Sequence, residues 1–367
     1  MATMQAMQLS RYGHLAIESV PIPETRADEV LVHVAACGIC GSDVHGYDGS
    51  SGRRIPPIIM GHEAAGVIAQ VGADVKKFAP GDRVTFDSTI YCGHCSFCLA
   101  GQVNLCDHRE VLGVSCAEFR RAGAFAEYVT VPERICYHLP DQLSFAHAAM
   151  LEAVSVALHA VNLSEIKGGE VALVIGAGMI GLLTMQAARA AGCSQVYVAD
   201  VDQSRLELAK RLGATKTLHL SGQELVAECM QLTANRGVDI ALEAVGSDAT
   251  VTAAIESVRK GGAVTLIGNI AAKVSLPLQK IVTRQIRLQG SCASAGEYPQ
   301  AMQLLTSGAI QVEPLITAVA PLGDGPGWFR RLHAREPNLM KVILDPRITH
   351  DSPGEPALEA ESAGEAS

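Results

Sequence analysis

The sequence lacks the features that would point to a nucleic-acid-binding, membrane-bound or secreted protein. No run rich in Lys or Arg occurs, and the formal net charge is −9. A nucleic-acid or anionic-membrane partner is therefore not expected. Residues 1–20 lack the basic start and apolar stretch of a secretory signal peptide. We therefore expect a cytoplasmic protein.

Aromatic residues are also scarce, at 4% of the chain, whereas glycine is abundant, with 35 residues. Small residues favour tight turns and close packing of helices on sheets, as in α/β proteins. Hydrophobic residues make up 48% and charged residues 18%, which is ordinary for a globular protein with a sizeable core. The length of 367 residues suffices for about two domains at roughly 100–200 residues each.

The distribution of local patterns predicts two kinds of domain. Residues 1–155 contain short β-type runs separated by turn signals, which predicts a mostly antiparallel, barrel-like domain. Over 156–290 apolar β runs alternate with helical stretches, which predicts a parallel sheet with helices on both faces. We expect 291–346 to return to the first domain. Residues 347–367 are acidic and nearly free of bulky apolar groups, so we expect a disordered tail.

The longest apolar stretch, 171–188, contains a glycine-rich turn. Gly176, Gly178 and Gly181 interrupt it, and a helical pattern follows them, so we predict a strand, a turn and a helix rather than a membrane span. In a dinucleotide-binding turn the first glycine permits the bend, the second admits the pyrophosphate, and the third lets helix and strand pack closely. We include Ile180 among the candidate cofactor-binding residues.

The glycine pattern alone is weak evidence, because an ordinary turn of an α/β domain can carry it. Its context supports dinucleotide binding, since a second predicted strand, 195–199, ends at Asp200. A carboxylate there can receive the ribose hydroxyls and would repel a 2′-phosphate, so the sequence favours NAD over NADP. Arg205 could flank the adenine or could be a solvated helix residue. Ser204, with Glu207 three residues on, predicts a helix N-cap.

Four cysteines lie close together as Cys92-x2-Cys95-x2-Cys98-x7-Cys106. Four thiolates at such spacing can close a tetrahedral shell around zinc. The four cysteines would fill the tetrahedral shell and leave no open position for a substrate. We therefore expect a structural rather than a catalytic zinc site in the loop 91–106. An iron–sulfur cluster and disulfides are the rival interpretations. We interpret His94, inside the loop, as a bystander.

Three further segments carry metal-capable residues. They are CGICGSDVH at 37–45, GHE at 61–63 and a lone acid, Glu152, in the otherwise apolar stretch 148–158. A buried carboxylate without a partner is costly, so Glu152 needs an explanation. Because these segments lie far apart, spacing alone leaves a second zinc site and a set of unrelated residues equally open. His62 could be a core histidine, and Glu152 an exposed acid at a helix start.

Five motifs in order carry a resemblance to a known family: GICGSDVH, GHE, PGDRV, the four-cysteine loop and VIGAGMIG. On these motifs the chain resembles the zinc-containing medium-chain dehydrogenase/reductase superfamily, up to about residue 346. The resemblance implies an α/β protein with a mostly β, GroES-like catalytic domain and a Rossmann domain with a doubly wound parallel sheet. Within the superfamily the chain resembles the polyol branch of sorbitol/iditol and galactitol-phosphate dehydrogenases, because Glu152 stands where other alcohol dehydrogenases place a second cysteine ligand.

The resemblance implies a catalytic zinc held by Cys40, rather than Cys37, and by His62. Glu63 and Glu152 would be the nearby carboxylates. Catalytic zinc typically keeps three protein ligands and an open position, so one carboxylate should be a ligand. We favour a weaker or water-mediated contact for Glu152 and treat Glu63 as the exchange partner. Which of the two is the resident ligand stays open. In addition, Asp43 would orient His62.

The implied reaction is NAD-linked oxidation of a secondary alcohol, a polyol or sugar alcohol, to a ketone. Ser42 would accept the proton and pass it through the ribose hydroxyl to His45, with Glu63 as the third candidate catalytic residue. The alternatives are a threonine or simple secondary-alcohol dehydrogenase, and a non-catalytic protein that binds NAD and zinc. The relatives imply a homo-oligomer, a tetramer or a dimer.

Two departures from the polyol branch bear on the substrate. Sorbitol-type enzymes carry an Arg-Tyr pair after the strand near residue 290, whereas this chain reads GSCASAG over 290–296. Ala153 replaces the proline that usually follows the glutamate. Both departures argue against sorbitol itself. Arg53 and Arg54 could bind a phosphorylated substrate, although a solvated loop is the interpretation that we favour.

Overall fold

A computed structural model describes residues 2–115 and 120–348 of the chain. Most of the predicted disordered tail, 349–367, lies outside these residues. Eighteen strands and eleven α-helices form within the described ranges.

The strands, in chain order, are β1 (Thr3–Arg11), β2 (His14–Pro21), β3 (Glu29–Gly38), β4 (Ile58–Ile59), β5 (Glu63–Val71), β6 (Arg83–Phe86), β7 (Thr89–Ile90), β8 (Glu110–Val111), β9 (Tyr128–Pro132), β10 (Cys136–His138), β11 (Val171–Ile175), β12 (Gln195–Ala199), β13 (Lys216–Leu218), β14 (Val238–Glu243), β15 (Val258–Leu266), β16 (Arg287–Gly290), β17 (Ile316–Pro321) and β18 (Lys341–Asp345).

The helices are α1 (Gly41–Tyr47), α2 (Ser96–Leu99), α3 (Phe145–Ala149), α4 (Leu151–Leu163), α5 (Met179–Ala190), α6 (Gln203–Arg211), α7 (Gly222–Leu232), α8 (Asp248–Ser257), α9 (Leu278–Arg284), α10 (Tyr298–Thr306) and α11 (Gly325–His333).

The first domain is built on a seven-stranded sheet with the order β10-β6-β5-β3-β18-β17, and β9 pairs with β3. Strand β3 reads EVLVHVAACG and is buried along almost its whole length, because it pairs with β5, β9 and β18. Strands β17 and β18 come from the end of the chain and complete this sheet. A smaller sheet, β2-β1-β4, packs beside it. Strand β18 therefore brings a C-terminal segment next to the residues that follow β3.

The second domain contains a six-stranded sheet with the order β13-β12-β11-β14-β15-β16, in which every pairing is parallel. Strand β11 reads VALVI and is buried beyond its first residue, as expected for a strand covered by helices on both faces. The strand order reverses direction between β11 and β14. In open α/β sheets, ligands bind outside the carboxyl ends of the strands at this point. The predicted α/β architecture, a Rossmann sheet plus a mostly β domain, is confirmed.

The glycine-rich turn joins β11 to α5, so the predicted strand, turn and helix are confirmed. Gly176 has a φ of 97°, which favours glycine. A Cβ at Gly181 would lie 1.8 Å from the carbonyl oxygen of Gly176. The turn therefore needs glycine at both positions. Within the described residues, no helix has the length and apolar character to cross a membrane.

Two local features differ from the predicted pattern. The cap of α6 is Asp202, whose carboxylate accepts the backbone N–H groups of Ser204 and Arg205. The predicted cap at Ser204 is therefore wrong, because an aspartate two residues earlier reaches the free N–H groups first. The predicted domain boundary at 155 falls inside α4, whose first turn carries Glu152.

Candidate metal centres and cofactor cleft

Helix α1 places several candidate residues around one point. Cys40 is its N-cap, and Asp43 accepts the backbone N–H of Cys40 at 3.3 Å, which fixes the first turn. Ser42 and His45 follow on the same helix, and both side chains are exposed. Because β3 runs directly into this helix, a well-packed strand sets the position of Cys40. Cys37, three residues earlier, is fully buried, and burial raises the pKa of its thiol well above the usual value.

The donor atoms of Cys40, His62 and Glu63 all lie within 4.8 Å of one another. Tetrahedral zinc, with bonds of about 2.0–2.3 Å, holds its ligands roughly 3–4 Å apart, so a small closure would bring the three atoms into a zinc shell. Glu63 Oε1 is buried and has no hydrogen-bond partner among the described residues. An unpaired buried carboxylate oxygen is costly, and a bound cation would satisfy it. The residues therefore fit a zinc ion.

Asp43 faces the ring of His62 at ion-pair distance, without a hydrogen bond to the ring nitrogen. The His62 Nδ1 lies 3.4 Å from Asp43 Oδ1, which leaves Nε2 for a metal. Burial would raise the pKa of Asp43, but His62 and Arg54 beside it lower this pKa to about 2. Asp43 is therefore an ionised carboxylate at neutral pH, as the expected role in orienting His62 requires.

Lys341 is a functional candidate that the sequence analysis missed. Its side chain is completely buried at the start of β18. Its ammonium group donates to Glu63 Oε2 and, at 3.0 Å, to the carbonyl of Ile39. Burial would lower the pKa of Lys341, but Glu63, Cys40 and Glu152 together outweigh this effect and raise it. A lone lysine in the apolar run MKVIL was the only sequence signal.

Glu152 lies outside the three-residue cluster. It sits in the first turn of α4, where Ser88 Oγ donates to Oε1 at 3.3 Å. Burial raises the pKa of Glu152 to about 7, although nearby His62 opposes the shift. This carboxyl group can therefore change its protonation state near neutral pH.

Asp87 is a second buried acid, close to Glu152. Its carboxylate accepts the N–H of Thr89 at 2.8 Å and the hydroxyl of Ser294 at 3.2 Å. Burial raises the pKa of Asp87 from 3.8 to about 6, and these hydrogen bonds only partly oppose the shift. Ser294 belongs to the segment 290–296, which therefore contacts Asp87, the buried acid close to Glu152.

This pKa predicts how Asp87 affects stability. A folded-state pKa above the unfolded value stabilises the protein below about pH 4, and this contribution is lost as the pH rises through about 6. We expect Asp87→Asn to gain stability relative to the wild type by roughly 3 kcal/mol between about pH 4 and pH 8, at about 1.4 kcal/mol per pKa unit. Urea unfolding at both pH values measures the difference in the free energy of unfolding between the variant and the wild type. Asp141→Asn, at a 99% exposed side chain, is the control. A stability difference that does not depend on pH would contradict the raised pKa of Asp87.

Arg54 is not in a solvated loop, contrary to the interpretation favoured from the sequence. It is 4% exposed, and its Nη2 donates to Ser42 Oγ at 3.2 Å and to Asp43 Oδ1 at 3.1 Å. The neighbouring Arg53 is exposed, as predicted. The sequence suggested no partner for Arg54, because Asp43 lies eleven residues earlier across a loop.

The four cysteines of the loop also come together. The Sγ atoms of Cys92, Cys95, Cys98 and Cys106 lie within 4.8 Å of one another. Backbone N–H groups point at two of them: that of Cys95 lies 3.4 Å from Cys92 Sγ, and that of Cys92 lies 3.3 Å from Cys106 Sγ. Such N–H groups stabilise thiolates, so the residues fit a zinc ion. His94 is not in this cluster, and its Nδ1 faces the carbonyl of Cys92.

A cleft of about 1540 Å³ separates the two domains. His45 lines it from the first domain, and Asp202 and Arg205 line it from the second. Arg205 is partly exposed, and its Nε lies 3.6 Å from Asp202 Oδ2. The cleft therefore joins the α1 residues to the end of β12, where a dinucleotide is expected.

The candidate cofactor residues surround the glycine turn at one end of this region. Asp200 Oδ2 accepts the backbone N–H of Ala177 at 2.5 Å, and Oδ1 accepts that of Asp202 at 2.9 Å. Gly178 is the N-cap of α5, and Ile180 is half-buried in its first turn. The carboxylate of Asp200 thus lies beside the turn that begins with Gly176.

Comparisons with known proteins identify the family to which the chain is similar. One family model, described as an alcohol dehydrogenase GroES-like domain, matches residues 26–141, and another, a zinc-binding dehydrogenase, matches residues 180–307. An uncharacterised zinc-type alcohol dehydrogenase-like protein of Escherichia coli is 37% identical, over 90% of this chain and 96% of that protein. Sorbitol dehydrogenase of Bacillus subtilis is 35% identical, over 94% of this chain and 97% of that protein.

Solved structures are similar over the same length. A protein described as a zinc-binding dehydrogenase from Sinorhizobium meliloti, bound to NADP, has a TM-score of 0.84 and 33% identity, covering 94% of this chain and 100% of that one. Galactitol-1-phosphate dehydrogenase from Escherichia coli has a TM-score of 0.85 and 30% identity, with the same coverage.

Proposed function

Because the chain belongs to the polyol dehydrogenase branch of the zinc-containing medium-chain dehydrogenase/reductase superfamily, we propose that it oxidises a polyol or sugar alcohol to the ketone. One observation carries the proposal: the donor atoms of Cys40, His62 and Glu63 converge, and Glu63 Oε1 has no hydrogen-bond partner among the described residues. When bound, a zinc ion at this point would supply a Lewis acid for the substrate hydroxyl, and NAD would supply the hydride acceptor.

Among the two carboxylates, we assign Glu63 as the resident ligand. One of its carboxylate oxygens lies within 4.8 Å of the donor atoms of Cys40 and His62. Its Oε2 is neutralised by Lys341, whereas Oε1 has no hydrogen-bond partner among the described residues. Glu152 would instead bind a water molecule or a second hydroxyl of the polyol, together with Ser88. A carboxyl group and a hydroxyl beside the reacting carbon suit a substrate that carries several hydroxyl groups.

The proton of the substrate hydroxyl would leave the site by way of two side chains of α1. Ser42 would accept the proton of the substrate hydroxyl and pass its own proton, by way of the ribose hydroxyl of the cofactor, to His45. The position of His45 supports this route, because its exposed side chain lines the cleft and can release the proton to water. The solvent-exposed side chain of Ser42 on the same helix also supports it.

We propose NAD as the cofactor and a second, structural zinc at the four cysteines. The carboxylate of Asp200 beside the glycine turn supports NAD, because it would repel the 2′-phosphate of NADP. The Sinorhizobium meliloti relative binds NADP, so this preference needs a direct test. The convergence of Cys92, Cys95, Cys98 and Cys106 supports the structural zinc.

We also propose a homo-oligomer, a dimer or a tetramer. Among the described residues, strand β16 is the last strand of the parallel sheet on its side, and a strand edge of this kind can pair with a second copy. Leu278, Val282 and Ile270 are apolar side chains that are each more than two-thirds exposed. Contact between subunits would cover such side chains.

A steady-state assay with a defined substrate panel tests the proposed function. The panel contains free polyols, sugar-alcohol phosphates, threonine and simple secondary alcohols, with NAD and NADP in parallel. We expect NADH formation at 340 nm with polyols, a kcat/KM at least about 10²-fold higher with NAD than with NADP, and loss of activity on zinc chelation. Metal analysis should give two zinc ions per chain, and light scattering should give a dimer or tetramer. No turnover with any alcohol, despite bound zinc and NAD, would overturn the proposal.

A further inference from the structure

Arg54 makes two contacts that link the proton path to the metal cluster. Its Nη2 lies 3.2 Å from Ser42 Oγ and 3.1 Å from Asp43 Oδ1. Asp43 in turn faces His62 Nδ1 at 3.4 Å. One buried guanidinium group therefore contacts both the residue proposed to accept the substrate proton and the residue that orients a proposed zinc ligand.

The surrounding chain is shaped to hold this arginine. Its aliphatic stem crosses α1 at Gly46, where a Cβ would lie 2.1 Å from Arg54 Cγ. The next residue, Ile55, is fixed on both sides by Ser115 Oγ, which accepts its N–H at 2.5 Å and donates to its carbonyl at 2.8 Å. Only glycine at position 46 leaves room for the side chain, so Arg54 occupies a specific place in the fold.

The chemistry of the guanidinium group defines what it does to Ser42. Arginine is always charged and can only donate hydrogen bonds. Ser42 Oγ must therefore accept from Arg54, which directs its own O–H away from the arginine. One lone pair stays available to accept the substrate proton, and the O–H can donate to the cofactor ribose.

We propose that Arg54 is a positioning residue of the proton relay, which fixes the hydroxyl of Ser42 so that it accepts from the substrate and donates to the ribose at the same time. This inference rests on the proposed function. In the transfer, the substrate O–H bond would break as Ser42 Oγ gains that proton, and the original proton of Ser42 would move to the ribose hydroxyl, whose own proton would pass to His45. When bound, NAD would accept the electron pair of the substrate C–H bond as hydride. The guanidinium group neither gains nor loses a proton.

Arg54→Met and Arg54→Lys test the role, with Arg53→Met as the matched control at the exposed neighbouring residue. Kinetic constants, the zinc content and the affinity for NADH are measured for each variant. Because positioned proton transfer contributes about 10²–10⁴-fold, we expect kcat per bound zinc to fall about 10²-fold in Arg54→Met. The KM and the NADH affinity should change less than about threefold, and the effect of D2O on kcat should increase. The kcat of Arg54→Lys should be about tenfold higher than that of Arg54→Met, because lysine also donates hydrogen bonds without accepting them. Arg53→Met should match the wild type.

Gly46→Ala provides a second test that keeps Arg54 in the chain. The added methyl group would displace the arginine stem, so this variant should show the same loss of kcat. The double variant should be no worse than Arg54→Met alone, because both changes break the same contact. Unchanged kcat per zinc in Arg54→Met, a loss explained entirely by missing zinc, or additive effects of the two changes would each overturn the inference. A wild-type protein that oxidises no alcohol would instead overturn the proposed function, and this inference with it.

Discussion

Cys40→Ser should lose one of two zinc ions and nearly all activity. The thiolate of Cys40 supplies the sulfur ligand in the cluster with His62 and Glu63, and serine is a much weaker zinc ligand. Metal catalysis is worth several kcal/mol, and each 1.4 kcal/mol is tenfold, so we expect kcat/KM to fall by at least about 10³-fold. Steady-state kinetics and metal analysis of the same preparation measure both effects.

Two other cysteines serve as controls for this prediction. Cys37→Ser changes a buried thiol three residues away and should keep both zinc ions. Cys98→Ser should lose the other zinc ion and some stability, while the protein that stays folded keeps the catalytic zinc. If Cys40→Ser retained two zinc ions, or if Cys37→Ser lost one, the assignment of the catalytic site would be wrong.

The sequence predicted those parts of the fold that depend on local patterns. The β–α alternation after residue 156 gave the parallel sheet, because buried parallel strands are continuous apolar runs such as VALVI. The capping of α6 was assigned to the wrong residue, because Asp202 and Ser204 are both good cap residues and only the backbone geometry decides between them. Strands β1 and β2 were not predicted. Both strands are partly exposed and mix polar with apolar residues, so their sequences do not stand out from loops until their pairing is known.

For the candidate site too, residues in local motifs could be predicted, whereas residues brought together only by the fold could not. Residues within compact motifs, such as the four cysteines of the loop and the glycines of the turn, could be identified from spacing. Cys40, His62 and Glu63 could be grouped only through the family resemblance, because β3 and β5 bring them together across a sheet. Arg54 and Lys341 carry no motif at all. Their roles depend on partners at separations of 11 and 278 residues.

Lys341→Met should destabilise the protein strongly, and more so without zinc. The ammonium group of Lys341 and the carboxylate of Glu63 are both completely buried and form an ion pair. Removing one partner of a buried pair costs about 3–5 kcal/mol, because the other charge stays buried without compensation. In the zinc-free protein no other cation of the described residues contacts Glu63, so we expect this full loss in urea unfolding. With zinc bound, the metal would offset part of the carboxylate charge, and the loss should be smaller.

The double variant Glu63→Gln/Lys341→Met separates the lost charge pair from simple damage to the packing. Both replacements are neutral and close in size to the originals, so in the zinc-free protein the double variant should recover most of the stability that Lys341→Met loses. The same variant should bind the catalytic zinc weakly, because the amide of glutamine is a poorer ligand than a carboxylate. Recovered stability with lost zinc would show that Lys341 balances the charge of Glu63, while Glu63 itself is needed for the metal. A double variant as unstable as Lys341→Met would instead assign to Lys341 a packing role alone.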